Sequence, residues 1–126
     1  MKNILTLFFL VFFVLAGCSK EYTFAKFHMA QADEAFYQAH KLRTKKGADE
    51  KRLRYYRDAC SHFKQAYSLE PKLFTLYNID SAIEACTRIN DFESKEMFQR
   101  FQELYVQEHP VEAENGDAGT ELLAPE

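Results

Sequence analysis

Residues 49–71 read DEKRLRYYRDACSHFKQAYSLEP, and the fold turns on how this stretch is read. Leu53, Tyr56, Cys60, Phe63 and Tyr67 recur at intervals of 3, 4, 3 and 4. A strand would alternate apolar and polar residues at every second position. A helix brings residues three and four apart onto one face. The spacing therefore predicts a helix from Asp49 to Leu69 with its apolar stripe turned to a core. Asp49 is the expected N-cap, and Pro71 suits the first turn of the next helix.

The same periodicity extends in both directions, and no segment sustains a period of two. Upstream, Ala25, Ala32 and Ala39 recur every seven residues, flanked by Met29 and Phe36, which predicts a helix over 23–43. Small side chains along one stripe let a neighbouring helix approach closely. Gly47, amid Thr44, Lys45 and Lys46, interrupts the pattern. Downstream, Ile79, Ala82, Ile83 and Cys86 predict a third helix over 71–89. Met97, Phe98, Phe101, Leu104 and Tyr105 predict a fourth over 91–107, ended by Pro110. Asn90, with Glu93 three residues on, is similar to a capping box. The expected class is all-α: four helices paired as two antiparallel hairpins.

Ala59, Phe63, Ala66 and Pro71 are spaced 4, 3 and 5, and here the chain resembles the tetratricopeptide repeat family. In that family the small residues permit close helix packing, the aromatic fills the gap, and the proline opens the next repeat. The resemblance thus implies repeat-packing roles for these four residues. Ala32, Ala35, Phe36 and Ala39 carry the 3, 1, 3 spacing of the first half of a repeat, and Ile79, Ala82, Ile83 and Cys86 repeat it. Ala39 and Ala59 are 20 residues apart where the family pattern has nine, which implies a lengthened first hairpin. Lys95 stands where the second copy would have an alanine.

The N-terminus carries a different signal. Lys2 precedes a run from Ile4 to Leu15 that is apolar except for Thr6. The run is shorter than the ~20 residues a membrane-spanning helix needs and fits the apolar region of a signal peptide. It ends in Leu15-Ala16-Gly17-Cys18, which resembles the lipobox of bacterial lipoprotein precursors. The resemblance implies cleavage between Gly17 and Cys18, with diacylglycerol and an N-acyl chain on Cys18. Two or more acyl chains hold a protein firmly at a membrane. Ser19, rather than Asp, suggests the periplasmic face of the outer membrane. The expected organisation is a signal peptide (1–17), a lipidated N-terminus and tether (18–22), a helical domain (23–110) and an acidic, disordered tail (111–126).

Little in the chain points to catalysis. His28, His40, His62 and His109 are scattered without a metal-ligand spacing, and no phosphate-binding loop or nucleophile motif is present. Asp58 and His62, one turn apart, read as a surface pair rather than a catalytic dyad. Besides the acyl groups on Cys18, no metal or other cofactor is expected. Cys60 lies 11 residues before Pro71 and Cys86 lies 15 after it. Simple antiparallel pairing about Pro71 leaves them about four residues, or about 6 Å, out of step along the axis. A bridge needs Cα atoms within about 7 Å in all, so this reading favours two buried free thiols.

Eight basic residues and two acids lie between Lys41 and Arg57. The bland reading is a solvated turn. The sharper one is a docking patch of Lys45, Lys46, Lys51, Arg52, Arg54 and Arg57 for anionic headgroups, cell-wall polymer or an acidic partner. The leading functional expectation is a non-enzymatic protein–protein scaffold or adaptor in the cell envelope, held to the membrane through its lipid, with a protein partner and no nucleic acid. The alternatives are an apolar small-molecule or lipid carrier and a structural cell-wall-binding lipoprotein.

Overall fold

The computed structural model describes residues 2–110, which form four α-helices and, among the described residues, no strand. The helices are α1 (Lys2–Lys41), α2 (Asp49–Leu69), α3 (Leu76–Arg88) and α4 (Phe92–Glu108), with a 3₁₀ turn at Pro71–Leu73. The acidic segment 111–126 lies outside the described residues. Among the described residues no helix is long and apolar enough to cross a membrane.

α1 packs against α2, α2 against α3, and α3 against α4. Along α1 and α2 the contacts run in opposite order: His28 meets His62, and Phe36 meets Tyr56. Ala25, Ala32, Ala39, Ala59 and Ala66 are all fully buried, so neighbouring backbones approach closely at these positions. Phe63 fills the space that remains and touches Phe74 at 6.2 Å between ring centroids. α1 is almost twice as long as α2, and Ala25 is the first buried residue among its described side chains.

Pro71 is exposed and opens the 3₁₀ turn, so α3 begins at Leu76, five residues later than the spacing predicts. Thr75 caps α3: its hydroxyl accepts from the Asn78 N–H, and its own N–H donates to Asn78 Oδ1. This reciprocal pair satisfies two donors that a helix N-terminus leaves without partners. The extended residue before it, Phe74, is driven into the core. It sits among Phe63, Tyr67, Phe98 and Phe101, with centroids 5.7–6.2 Å apart.

The same three-residue turn overturns the expectation of free thiols. Cys60 and Cys86 form a disulfide, with Cα atoms 5.1 Å apart. Pro71 is not the midpoint of the connection. Cys60 lies nine residues before Leu69, where α2 ends, and Cys86 lies ten after Leu76, where α3 starts. Measured from the helix ends, the two cysteines are level to within one residue, or about 1.5 Å.

Two expected caps are also corrected. Asp49 follows the cap position, which Ala48 occupies; the Asp49 carboxylate instead pairs with Arg52 at 2.8 Å. Asn90 is not a capping-box residue. Its φ is 60°, and it ends α3, with Asp91 N–H donating to Cys86 O and Asn90 N–H to Thr87 O. Asparagine tolerates this left-handed conformation better than most residues, and the bond pattern is that of a Schellman ending. Asp91 is the N-cap of α4, accepting from Ser94 N and Oγ. Those bonds, with Lys64 3.4 Å away, hold its carboxyl below the usual range.

Two stripe residues lie on the surface. Leu53 is 42% exposed because α3 ends at Arg88, soon after the level of Cys60, and leaves the start of α2 uncovered on that side. Leu104 borders an open groove between α2 and α4.

Candidate functional site

α1 and α3 lie side by side and are tied by Asn78 Nδ2, which donates to Asp33 Oδ1 at 3.0 Å. Above this tie they enclose an open groove of about 390 Å³. α1 contributes Phe36, Tyr37 and His40, and α3 contributes Tyr77, Asp80, Ser81 and Glu84. The periodicity explains the set. Phe36 belongs to the buried stripe of α1, whereas Tyr37 is rotated by about 100° from it and stands on the rim. Tyr37 and Tyr77 are 58% and 65% exposed, large aromatic surfaces that the fold leaves in water.

The floor is polar. The His40 ring rests on Phe36 at 4.5 Å between centroids and meets Tyr56 edge-on at 6.4 Å. Its Nε2 is buried and makes no hydrogen bond, although Glu84 Oε1 is 3.4 Å away. Glu84 also lies 3.6 Å from Arg88, and the Asp80 carboxylate accepts from Gln102 of α4. Buried polar atoms are almost always satisfied in native proteins. An unpartnered imidazole nitrogen beneath two exposed tyrosines and two carboxylates suits an incoming group that can supply the missing hydrogen bond.

Burial raises the Asp33 carboxyl above its ordinary value, against the opposing hydrogen bond from Asn78. Asp80 is raised in the same way, against Gln102. A carboxyl whose pKa is higher in the folded state stabilises the fold below its unfolded value, here 3.8, and that contribution is lost as pH rises through the folded value. Asp33→Asn keeps an acceptor for Asn78 and removes the buried charge. It is expected to raise the urea midpoint at neutral pH and to flatten its dependence on pH across the mildly acidic range. A steeper dependence than in the parent chain would show that burial is not what governs this carboxyl.

A larger groove, about 510 Å³, lies between α2 and α4, but four of its five charged side chains pair internally: Lys64 with Asp91, and Arg100 with Glu96. His62 also faces His28 across α1 and α2, with Nδ1 atoms 2.9 Å apart. Burial and the His28 ring lower the His62 pKa, with Asp58 opposing. Among the described residues no cluster of three or more His, Cys, Asp or Glu side chains could hold a metal ion.

The structure distributes the sequence-derived candidates as follows. Ala59, Phe63 and Ala66 are buried in α2, and Pro71 is exposed after it. Lys45, Lys46, Lys51, Arg54 and Arg57 are exposed around the α1–α2 turn. Arg52 is different: it holds Asp49 and donates to the Arg43 carbonyl at 3.2 Å, so it clamps the turn. Gly17 and Cys18 fall in the backbone of α1, and their side chains lie outside the described ones. Tyr37, Tyr77, Asp80 and Glu84 belong to no sequence motif. Their signal in the sequence is faint: aromatics and acids lying off the apolar stripes. No family model, curated protein or solved structure matches the chain.

Proposed function

We propose that the protein is a membrane-anchored lipoprotein adaptor that grips a peptide segment of an envelope partner in the α1–α3 groove. The single observation that carries the binding role is the buried His40 Nε2, which makes no hydrogen bond, at the floor of an aromatic-rimmed, acidic groove. Asp80 and Glu84 favour a segment with a basic or N–H-bearing side chain, and Tyr37 and Tyr77 offer faces for its aromatic or cationic groups. Anchoring rests on Leu15-Ala16-Gly17-Cys18, and the outer-membrane location on Ser19. The Cys60–Cys86 bridge supports export, because disulfides persist in oxidising compartments.

Contact offsets support a tetratricopeptide-like pair of hairpins. Asp33 and Asn78 are 45 residues apart, while Tyr67 and Phe98 are 31 apart. The family period is 34 residues. The first offset exceeds it by 11, the excess expected from an insertion at the α1–α2 turn, whereas the second, between helices that follow the insertion, stays near it.

The test places a photo-crosslinking residue at Tyr77 of the full chain in a cell envelope. A discrete crosslinked species is expected, lost on adding Tyr37→Ala with Glu84→Lys and retained with Leu104→Ser on the opposite groove. Equal yields in all three would remove the groove from the proposal. Independently, Cys18→Ser is expected to abolish incorporation of labelled fatty acid and to release the chain from membranes. Labelling that survives this substitution would overturn the anchor.

A further inference from the structure

Where α1 first packs into the bundle, around Ala25, its other sides bear exposed aromatics that the groove does not use. Phe24 and Phe27 are 59% and 55% exposed, and Tyr22 is also exposed. At about 100° per residue, Phe24 and Phe27 project away from the buried Ala25–Ala32 stripe. Tyr22 lies on another side of the helix, with Lys26 Nζ 4.7 Å from its ring centre. The aromatics thus spread over about 200° of the helix, on the sides the bundle leaves open, instead of forming one narrow apolar stripe. A helix lying flat on a membrane would carry a stripe; a helix standing upright through the headgroup layer carries a belt.

We infer that Tyr22, Phe24 and Phe27, with Lys20 and Lys26, seat the foot of α1 in the headgroup layer of the anchoring membrane. The inference rests on the membrane-anchored reading above. Two lengths argue for a lipid surface as occupant. Tyr22 to Phe27 spans about 7 Å of helix, and a headgroup layer is about 5–7 Å thick on each side of the hydrocarbon. Cys18 precedes Tyr22 by four residues, about 6 Å, so acyl chains held there reach hydrocarbon while the belt remains among headgroups. Lys20 and Lys26 outnumber Glu21, which complements anionic lipid. One consequence is directional. The basic turn starts at Leu42, about 36 Å of helix beyond Cys18, and so faces away from the anchoring membrane.

The chain has no tryptophan, so single Phe24→Trp, Phe27→Trp and Tyr77→Trp reporters can be read without background. Each full-length lipidated variant is reconstituted into vesicles of phosphatidylethanolamine and phosphatidylglycerol whose acyl chains are brominated near the headgroup. The Phe24→Trp and Phe27→Trp reporters are expected to shift to the blue and lose most of their emission, while Tyr77→Trp keeps its own. Three results overturn the inference. If the protein floats with the vesicles but both foot reporters emit as in water, the belt is refuted and the anchor stands. If the foot reporters are blue-shifted yet unquenched, protein covers them instead of lipid. If the chain fails to float, the anchor and the belt fall together.

Discussion

Reducing the Cys60–Cys86 bond is expected to lower the stability of the helical domain by about 3 kcal/mol. The bond closes a segment with a sequence separation of 26. Cross-linking a loop of that length removes roughly 3 kcal/mol of conformational entropy from the unfolded chain. For a domain of this size that corresponds to a fall of roughly 10–20 °C in melting temperature. The structural context supports a full effect. Both cysteines are buried, α2 and α3 meet level at this point, and Cys86 also supplies the carbonyl that ends α3. The comparison to make is thermal unfolding of the full chain with and without reductant, with free thiols counted in each sample. Coincident transitions in samples shown to be oxidised and reduced would refute a stabilising cross-link. Cys60→Ala with Cys86→Ala then separates the cross-link from the sulfur packing.

Phe63→Ala is expected to cost about 3–5 kcal/mol, the range for deleting a fully buried phenyl ring. Phe63 is completely buried, flanked by Ala59 and Ala66 on its own helix and in contact with Phe74. The alanines' methyl groups are too short to fill the vacated space, and the α2–α3 disulfide limits how far the helices can close on it. The cavity should therefore persist. Phe74 links this ring to Tyr67, Phe98 and Phe101, so the loss would loosen α4 as well as α2. Urea denaturation checks the prediction. A shift smaller than that of Leu104→Ala, whose side chain is mostly exposed, would show that Phe63 does not hold the core together.

Much of this fold is legible residue by residue. The spacing of Leu53, Tyr56, Cys60, Phe63 and Tyr67 announces α2, and the alanines at 25, 32 and 39 announce the close face of α1. Local signals are ambiguous where one residue can serve either of two helix ends. Asn90 resembles a cap for the helix that follows, yet it closes the helix that precedes it. Thr75 and Asn78 do form a reciprocal cap, but it lies inside a stretch whose apolar spacing suggests unbroken helix. The candidate groove was less legible still. Tyr37 and Tyr77 are far apart in sequence and off their helices' stripes, so nothing local marks them as two rims of one site.

The sequence by itself determined that the chain is helical, where α2 runs, and which small residues permit close packing. These follow from interactions three and four residues apart, which periodicity records directly. It also placed Cys18 behind an apolar run, a property of order along the chain. Only the tertiary structure decided that Cys60 meets Cys86, that Leu53 stays in water, and that His40 Nε2 is buried without a hydrogen bond between α1 and α3. Those outcomes depend on register between helices. A 3₁₀ turn of three residues and an extended Phe74 shift that register, and apolar periodicity within a single helix carries no information about it.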